Sequence, residues 1–298
     1  AIHATARAIH SHGPVSGAFR GFGVPQATAL QETLIDRLAE AAGLDRLAFR
    51  LHNALRAGDT TATGQRLAAP GIHECLAALH PHWQRALHAA AVHRHPTLKR
   101  GVGLASCWYG CGNTSLPNPS TIRIGLTPTG SLVLHQGATD IGQGSNTVIA
   151  QIAAQALGLP LPAFTLIGPD TALTPDAGKT SASRQTFVSG RAAQAAALAL
   201  RAEILRRLNM GDSARLSLSG ATLTGQDGGQ SATFSLAPLP PNAQGYALMA
   251  EETYDPPTAP LDENGQGIPY ALYGFGAQMV ELEVDTTLGT TRLLKITA

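Results

Sequence analysis

The chain has 298 residues, of which 44% are hydrophobic and 14% are charged, and its formal net charge at pH 7 is +1. A chain of this length and composition buries a sizeable core, as one large domain or as two ordinary ones. The small net charge argues against nucleic acid and against an anionic membrane surface as partners. No apolar run reaches the length of a membrane span, and no segment has the biased composition of a disordered region.

The chain starts with neither an initiator methionine nor a signal peptide, and residues 1–7 alternate like a strand entered midway. We therefore expect a processed, split or excised piece of a longer protein. The three cysteines form no even disulfide framework, which favours a reducing compartment and a cytoplasmic protein. Cys107 and Cys111 lack the further ligands of a zinc or iron–sulfur site, so we expect two small buried thiols.

The sequence of the first quarter of the chain predicts mainly helices. Residues 1–26 indicate a strand and then a glycine-rich loop, with Pro25 in the first turn of the next helix. That helix is expected over residues 27–42, and a second one follows from an N-cap at Asp45 to Leu55. The apolar residues that share one face of the first helix are Leu30, Leu34, Ile35 and Leu38.

A third helix is expected over residues 72–92, with a break or kink at Pro81. A group of histidines lies in this helix or just after it: His73, His80, His82, His88, His93 and His95. Their spacing scatters the imidazoles around the helix, and the segment lacks the second histidine of a zincin motif. A solvated helix face therefore explains the pattern better than a metal site does.

Near residue 98 the pattern changes from helix to strand, and we place a domain boundary between residues 98 and 99. A long alanine-rich helix is expected over residues 184–208, and loops over 220–229 and 238–244. Strands are expected over residues 101–109, 120–126, 131–135, 164–167, 214–218, 246–253, 274–284 and 290–296. Because strands and helices mix without regular βαβ alternation, the predicted fold class is α+β.

The stretch from His135 to Gly158 combines a glycine-rich turn with a helix. Gly142 and Gly144 let the backbone approach a ligand without an intervening Cβ, and the helix behind them aims unpaired N–H groups at it. Gln143 lies between the glycines and offers two donors and an acceptor. This arrangement predicts a cradle for a small molecule. A strand-to-helix turn that needs glycine only for its geometry explains the pattern equally well.

A second candidate cradle is the loop over residues 17–26. Arg20 supplies a permanent cation with fork geometry, and Phe19 and Phe22 on either side provide an apolar wall for a planar substrate.

A third loop, over residues 178–186, precedes the alanine-rich helix and offers hydroxyls and free N–H groups to an anion. Its Gly-Lys-Thr sequence is not a P-loop, because Leu173 stands where the first glycine of that motif is required. For each of the three loops alone, a capping or turn role explains the residues as well as ligand binding does. Their occurrence together favours a polar, phosphate-bearing cofactor.

Taken together, these loops resemble the molybdenum-cofactor subunit of the xanthine oxidase family of molybdenum hydroxylases. The matching stretches, in the family's order, are residues 17–26, 53–59, 140–144, 180–186 and 273–278. The resemblance implies two molybdenum-cofactor-binding subdomains of mixed sheets packed with helices. Residues 1–98 would be the C-terminal part of the first and residues 99–298 the N-terminal part of the second.

The resemblance implies a molybdenum–pyranopterin cofactor and leaves its cytosine dinucleotide form open. Gln143 would hydrogen-bond the pterin, assisted by the N–H groups of Gly142 and Gly144. Arg20 would lie near the ligands of the metal and Phe22 would stack on the substrate, so both are assigned to catalysis. No protein ligand of the metal is implied, because the pterin dithiolene holds it. The other implied cofactor-binding residues are Phe19, Ala182, Ser183, Gln185 and Thr186.

The implied reaction is hydroxylation of an electron-poor carbon with oxygen from water, and the electrons leave through 2Fe–2S clusters to FAD or another acceptor. The family's glutamate base lies in a glycine-rich motif that does not occur here, and an upstream Gly-Gly-Gly-Phe-Gly-Gly loop is also missing. The chain alone is therefore expected to be inactive. The candidates for a substitute base are weak, and Glu281 and Glu283 are expected on the solvent face of a strand. The other two candidates are Glu251 and Glu252.

The implied partners are the rest of the molybdenum subunit, an iron–sulfur subunit and a flavin subunit. Residues 107–120 are most similar to bacterial xanthine or nicotinate dehydrogenases, and Arg20 and Phe22 suit a flat heterocycle. We therefore expect purine oxidation first, nicotinate hydroxylation next and aldehyde oxidation third. The alternatives are a non-catalytic cofactor-binding or assembly module and a nucleotide-binding regulator that acts through Lys179. All of this depends on the turns at Arg20, Gln143 and Ser183 meeting in one pocket.

Overall fold

The computed structural model describes residues 5, 7–15, 17–114 and 116–298. The chain divides into two compact units: unit 1 comprises Ala1–Gly110 and Ala259–Ala298, and unit 2 comprises Cys111–Thr258. The strand expected at the start of the chain falls partly outside the described residues, and the described residues before Gly17 form no strand. The assignment of two cofactor-binding domains that meet at residue 98 stays a prediction.

The secondary structure follows the predicted order closely. The helices are α1 (Val24–Ala41), α2 (Arg46–Asn53), α3 (Ile72–Val92), α4 (Ser145–Leu157) and α5 (Gln185–Leu208). The strands are β1 (Leu98–Cys111), β2 (Ser120–Leu126), β3 (Leu132–Gln136), β4 (Phe164–Ile167), β5 (Arg215–Ser219), β6 (Thr222–Asp227), β7 (Gln230–Ser235), β8 (Leu248–Tyr254), β9 (Leu272–Asp285) and β10 (Thr290–Thr297). A short 3₁₀ turn, Leu161–Ala163, precedes β4.

Unit 1 packs α3 against a three-stranded sheet of order β1-β9-β10. The buried residues of α3 recur at helical spacing: Ile72, Leu76, Leu79, Trp83 and Ala86. The sequence predicted a break or a kink at Pro81, but the helix runs through this residue without a break. Pro81 and Ala77, whose carbonyl loses its N–H partner to the proline, are both exposed, while buried residues on the other face hold the helix in place.

The expected apolar face of α1 points outward within this chain. Leu30 is 73% exposed, whereas Glu32 is buried and accepts hydrogen bonds from the Arg50 guanidinium at 2.9 Å and from the Ser106 N–H at 2.8 Å. A buried carboxylate needs such partners, and both of them lie on the side of α1 opposite its leucines. The ion pair therefore fixes the rotation of the helix. Asp45 caps α2 as predicted, by accepting from the Ala48 N–H.

Unit 2 is built on a mixed sheet of order β4-β3-β2-β8. Strand β2 runs antiparallel to β3 and β8, whereas β3 and β4 are parallel and are joined by α4. A parallel pair requires such a crossover, and the loop between β3 and α4 is placed at the carboxyl end of β3. The core between this sheet and the helices α4 and α5 contains Ile122, Ile124, Leu134, Ile149, Leu157 and Leu200.

A second sheet of unit 2, in the order β5-β6-β7, shows that the loop expected over residues 220–229 was wrong. Both turns of this meander are two residues long, and Gly228 and Gly229 both adopt positive φ, as in a type I′ hairpin turn. The glycine clusters marked these turns correctly. The strand between them is mostly polar, so its period-2 pattern is weak.

The fold class is α+β, as predicted. Within the described part of the chain, no helix combines the length and apolarity that crossing a bilayer requires. The expectation of two buried thiols is wrong for Cys107, which is exposed on β1, while Cys111 is half-buried. Cys107 and its neighbour Trp108 are both exposed, so burial along this part of β1 does not alternate between two faces.

Candidate functional site

The predicted cradle around Gln143 is the eight-residue loop between β3 and α4. Gly142 and Gly144 adopt φ values of 103° and 81°, which favour glycine over every other residue. A Cβ at either position would meet nothing within 4 Å, so both glycines face open space. The loop therefore has the accessible, side-chain-free edge that a ligand needs.

The carboxylate of Asp140 organises this loop from within. One of its oxygens accepts from the N–H groups of Gly142 at 2.9 Å and Gly144 at 3.3 Å, and the other accepts from the Asn146 N–H at 3.1 Å. The Gly142 bond, followed by the others, lowers the pKa of Asp140. A cofactor group that used the N–H groups of both glycines would have to share or displace this carboxylate.

Gln143 is exposed, but its amide already takes part in the loop. Its Oε1 accepts from the Ile141 N–H at 2.7 Å, and its Nε2 donates to the Thr139 carbonyl and the Ser145 hydroxyl, both at 3.1 Å. The two amide hydrogens are therefore engaged, and one acceptor position on Oε1 is left for a ligand.

The third loop carries unusual backbone strain. Among the described residues, four residues other than glycine have positive φ: Phe22, Ala182, Ser183 and Asn209. Asn209 ends α5 in the usual left-handed cap. The other three lie in loops predicted to bind cofactor or substrate. Such strain costs roughly 1–3 kcal/mol per residue and concentrates at functional sites, which supports the prediction for these loops.

The predicted polar residues of the third loop fall into two groups. Ser183 and Thr186 are exposed at the head of α5. Gln185 is buried; its Nε2 donates to the Lys179 carbonyl at 3.3 Å and to the Thr180 hydroxyl at 3.2 Å. The direct binding roles of all three stay predictions, but Gln185 has an evident role in tying the loop to its helix.

The loop around Gln143 and the loop over residues 178–186 meet at a single carbonyl. The Thr180 hydroxyl donates to the Thr139 carbonyl at 2.9 Å, and the same carbonyl accepts from Gln143. Gln185 donates to Thr180 from the other side. A continuous chain of hydrogen bonds therefore runs from the head of α5 to the loop before α4, which places these two predicted cradles side by side.

A groove of about 370 Å³ lies between α4 and α5. Its lining includes Thr186, Arg191 and Ile152. The helices approach closely because Gly190 has no side chain; a Cβ there would come within 2.8 Å of the Ile152 Cδ1 atom. Thr186 thus faces a space with room for part of a ligand.

The loop over residues 17–26 belongs to unit 1 and ends in a tight turn before α1. Phe19 is 80% and Phe22 is 66% exposed, and Arg20 is exposed between them. The Phe22 N–H donates to the Phe19 carbonyl at 2.7 Å. At Gly21 (φ 91°), a Cβ would come within 2.7 Å of the Pro25 ring. These exposed rings suit a substrate contact, and the meeting of this turn with the other two stays a prediction.

The candidate substitute bases are mostly held in ion pairs. Glu283 is 5% exposed and pairs with Arg100 at 3.2 Å and Arg292 at 2.9 Å, and the Arg100 hydrogen bond is the main cause of its lowered pKa. The expectation that Glu281 and Glu283 lie on a solvent face is therefore wrong for Glu283, and Glu281 pairs with Arg85. Their face of β9 packs toward α3, where a carboxylate requires a cation.

Glu251, on β8, pairs with Arg123 at 2.6 Å. The ion pairs engage these carboxylate oxygens with guanidinium groups, which supports structural roles for the glutamates.

Sequence reasoning missed four residues that shape the site: Thr139, Asp140, Thr180 and Arg184. Asp140 carries a local signal, because an aspartate two residues before a glycine turn typically accepts from that turn. Thr139 and Thr180 are 41 positions apart, so their contact has no local signal. Among the described residues, no three histidine, cysteine, aspartate or glutamate side chains are grouped as a metal site requires.

Unit 2 thus carries two neighbouring loops at helix N-termini, rich in glycine and hydroxyl groups, on a mixed sheet. A family model described as a molybdopterin cofactor-binding domain matches residues 76–298, and a second model with the same description matches residues 1–54. The chain belongs to this family of the xanthine oxidase-type molybdenum hydroxylases.

Two relatives illustrate the likeness. The xanthine dehydrogenase molybdenum-binding subunit of Escherichia coli O157:H7 is 34% identical over 210 residues, which are 67% of this chain and 27% of the relative. The aldehyde oxidoreductase of Megalodesulfovibrio gigas is 29% identical over 296 residues, which are 97% of this chain and 30% of the relative. The chain thus spans less than a third of the length of these relatives.

A solved structure shows the same fold. The aldehyde oxidoreductase from Desulfovibrio desulfuricans superposes with a TM-score of 0.76 at 28% identity, over 94% of this chain and 28% of the other.

Proposed function

We propose that this chain is part of the molybdopterin-binding subunit of a molybdenum hydroxylase that oxidises an N-heterocycle, with xanthine or another purine as substrate and water as the oxygen source. The observation that carries the proposal is the junction of the two unit 2 loops at the Thr139 carbonyl, in a chain of the molybdopterin-binding family. The 34% identity to a xanthine dehydrogenase subunit supports the purine assignment.

The residues present fit a pterin with its phosphate. Gly142 and Gly144 leave open space at the loop edge, Gln143 keeps one acceptor position, and Ser183 and Thr186 expose their hydroxyls at the start of α5. The helix N-terminus favours the negative charge of a phosphate. When bound, the molybdenum–pterin group supplies the redox centre at which the substrate carbon is hydroxylated.

The chain's own contribution is to bind and to orient. Arg20 offers a permanent cation to the polar edge of a heterocycle, and Phe22 offers a ring face for stacking; Phe19 adds apolar wall. We place the base that removes a proton outside this chain, because the family's glutamate motif does not occur here and Glu251, Glu281 and Glu283 are held in ion pairs. The exposed Glu252 is the weak candidate that is left within the chain. The partners are then the rest of the molybdenum subunit and units carrying 2Fe–2S clusters and FAD, in the cytoplasm.

A second candidate is oxidation of an aldehyde, and the likeness to two aldehyde oxidoreductases over 94–97% of this chain favours it. Nicotinate hydroxylation would use the same cation and ring face as purine oxidation. A cofactor-binding module without its own chemistry would hold the pterin through the same unit 2 loops.

The test is a substrate panel on the intact complex purified with its partners. Molybdenum is measured by mass spectrometry and pterin by fluorescence after oxidation, and turnover is then compared for xanthine, nicotinate and benzaldehyde. We expect stoichiometric molybdenum and the highest kcat/KM with xanthine. Cofactor without any turnover would favour the binding module, a preference for benzaldehyde would favour the second candidate, and a complex without cofactor would refute the proposal.

A further inference from the structure

The side chain of Arg184 is buried beneath the third loop, at the first residue before α5. It is 1% exposed, and among the described residues no carboxylate forms a salt bridge with it. Burial lowers its pKa, while Asp176 and Asp255 nearby act in the opposite direction. Burying a cation without a paired carboxylate costs free energy, so hydrogen bonds from the guanidinium must offset that cost.

All five N–H groups of this guanidinium donate to the protein. On one side, Nε donates to the Asn118 side-chain oxygen at 2.6 Å, and Nη2 donates to the carbonyls of Asn118 at 2.8 Å and Pro119 at 2.6 Å. On the other side, Nη1 donates to the carbonyls of Ala177 and, at 3.2 Å, Lys179. The planar fork of arginine thus joins two segments that are far apart in sequence.

The same residue shapes the loop above it. A Cβ at Gly178 would come within 2.8 Å of the Arg184 Nη1 atom, so the backbone lies directly on the guanidinium. Residues 182 and 183 follow in left-handed conformation, and the Ala182 carbonyl accepts from the Gly112 N–H at 2.8 Å. The strained turn is therefore held at Ala182 by Gly112, and the segment just before it, residues 177–179, is held by Arg184.

We propose that Arg184 is the positioning residue of the cofactor loop: its fork fixes residues 118–119 and 177–179, and so imposes the strained turn at Ala182 and Ser183. The turn then exposes the Ser183 hydroxyl at the head of α5. That this turn receives the cofactor rests on the proposed function; that Arg184 imposes its conformation does not.

The chain offers a matched control in Arg201, within α5. Arg201 also packs against a left-handed glycine, since a Cβ at Gly158 would come within 2.7 Å of its Nη1 atom. It donates to the carbonyls of Leu157 and Asp212 at 2.9 Å and of Ala214 at 2.6 Å. It lies near the opposite end of α5 from the predicted cofactor loops.

The experiment compares Arg184→Lys with Arg201→Lys in the intact complex, because lysine keeps the charge and loses the fork. Amide hydrogen exchange over residues 177–186 and the pterin and molybdenum contents are measured. For Arg184→Lys we expect exchange in this segment to rise about tenfold and cofactor content to fall about fivefold. For Arg201→Lys we expect wild-type cofactor content, with faster exchange confined to residues near 158 and 212.

Unchanged exchange over residues 177–186 in Arg184→Lys, or an equal loss of cofactor in both variants, would overturn the inference. If Arg184→Lys does not fold, Asn118→Ala removes one acceptor and leaves the arginine in place. It should raise exchange in the same segment by about threefold, and an unchanged rate would count against positioning. A wild-type complex without cofactor would refute the proposed function alone, because the exchange comparison still decides the role of Arg184.

Discussion

Thr180 joins the two predicted cofactor loops of unit 2, and Thr180→Val tests whether this joint matters for cofactor binding. The substitution keeps the shape of the side chain and deletes its hydroxyl. It removes the bond to the Thr139 carbonyl at 2.9 Å and the bond accepted from Gln185 at 3.2 Å. We expect the loops to separate while the fold is retained.

The magnitude follows from two hydrogen bonds at a half-buried site. Each contributes about 0.5–1.5 kcal/mol net, so the free energy of unfolding should fall by about 1–3 kcal/mol. For a unit of this size, each kcal/mol lowers the melting temperature by about 2–4 °C. If about 1 kcal/mol of that loss reflects the free energy that holds the loops in their binding conformation, cofactor binding weakens about fivefold.

The matched control is Thr127→Val, in the turn at the other end of β2 and β3. The Thr127 hydroxyl also makes two bonds, with the Thr129 hydroxyl and the Ser131 N–H, both at 2.9 Å. Urea denaturation and the pterin content of the intact complex are measured for both variants. We expect similar losses of stability, with loss of pterin in Thr180→Val alone. Equal pterin contents in the two variants would refute the idea that the joined loops hold the cofactor.

Three further predictions concern unit 2. The pKa of Asp140 lies below its ordinary value of 3.8, so its stabilisation of the loop is fully present above pH 3.8 and is lost as pH falls through the lower folded value. The protection factors of the loop amides, corrected for the pH dependence of intrinsic exchange, should therefore be lower at pH 3 than at pH 6, and Asp140→Asn should abolish this difference. Burial lowers the pKa of His135 below 6.5. The free energy of unfolding should therefore fall as pH drops below 6.5, and a urea midpoint that is equal at pH 7.5 and 5.5 would contradict this. Gly125→Ala places a Cβ within 2.4 Å of the Tyr246 ring and should cost about 1–3 kcal/mol in urea denaturation, whereas Gly168→Ala, with nothing within 4 Å, should not.

Local chemistry in the sequence determined most of the elements and the position of the loops. Pro25 and Asp45 marked two helix starts because a missing N–H and a capping oxygen act within one turn. Gly142 and Gly144 marked a tight, open turn because only glycine adopts their backbone conformation without cost. The order of the glycine-rich motifs was enough to indicate the molybdopterin-binding family, which the family models confirm.

Only the tertiary structure showed which hydrogen bonds and ion pairs form between segments that are distant in sequence. The leucines of α1 have a helical pattern, yet the partners of Glu32 turned that face outward. The alternating pattern of β9 predicted that Glu283 faces solvent, yet two arginines from neighbouring strands cover it. The contact of Thr180 with Thr139 and the burial of Arg184 depend on segments tens of residues apart. Hydrogen bonds and ion pairs between distant segments have no period in the sequence, so they become visible only when the chain is folded.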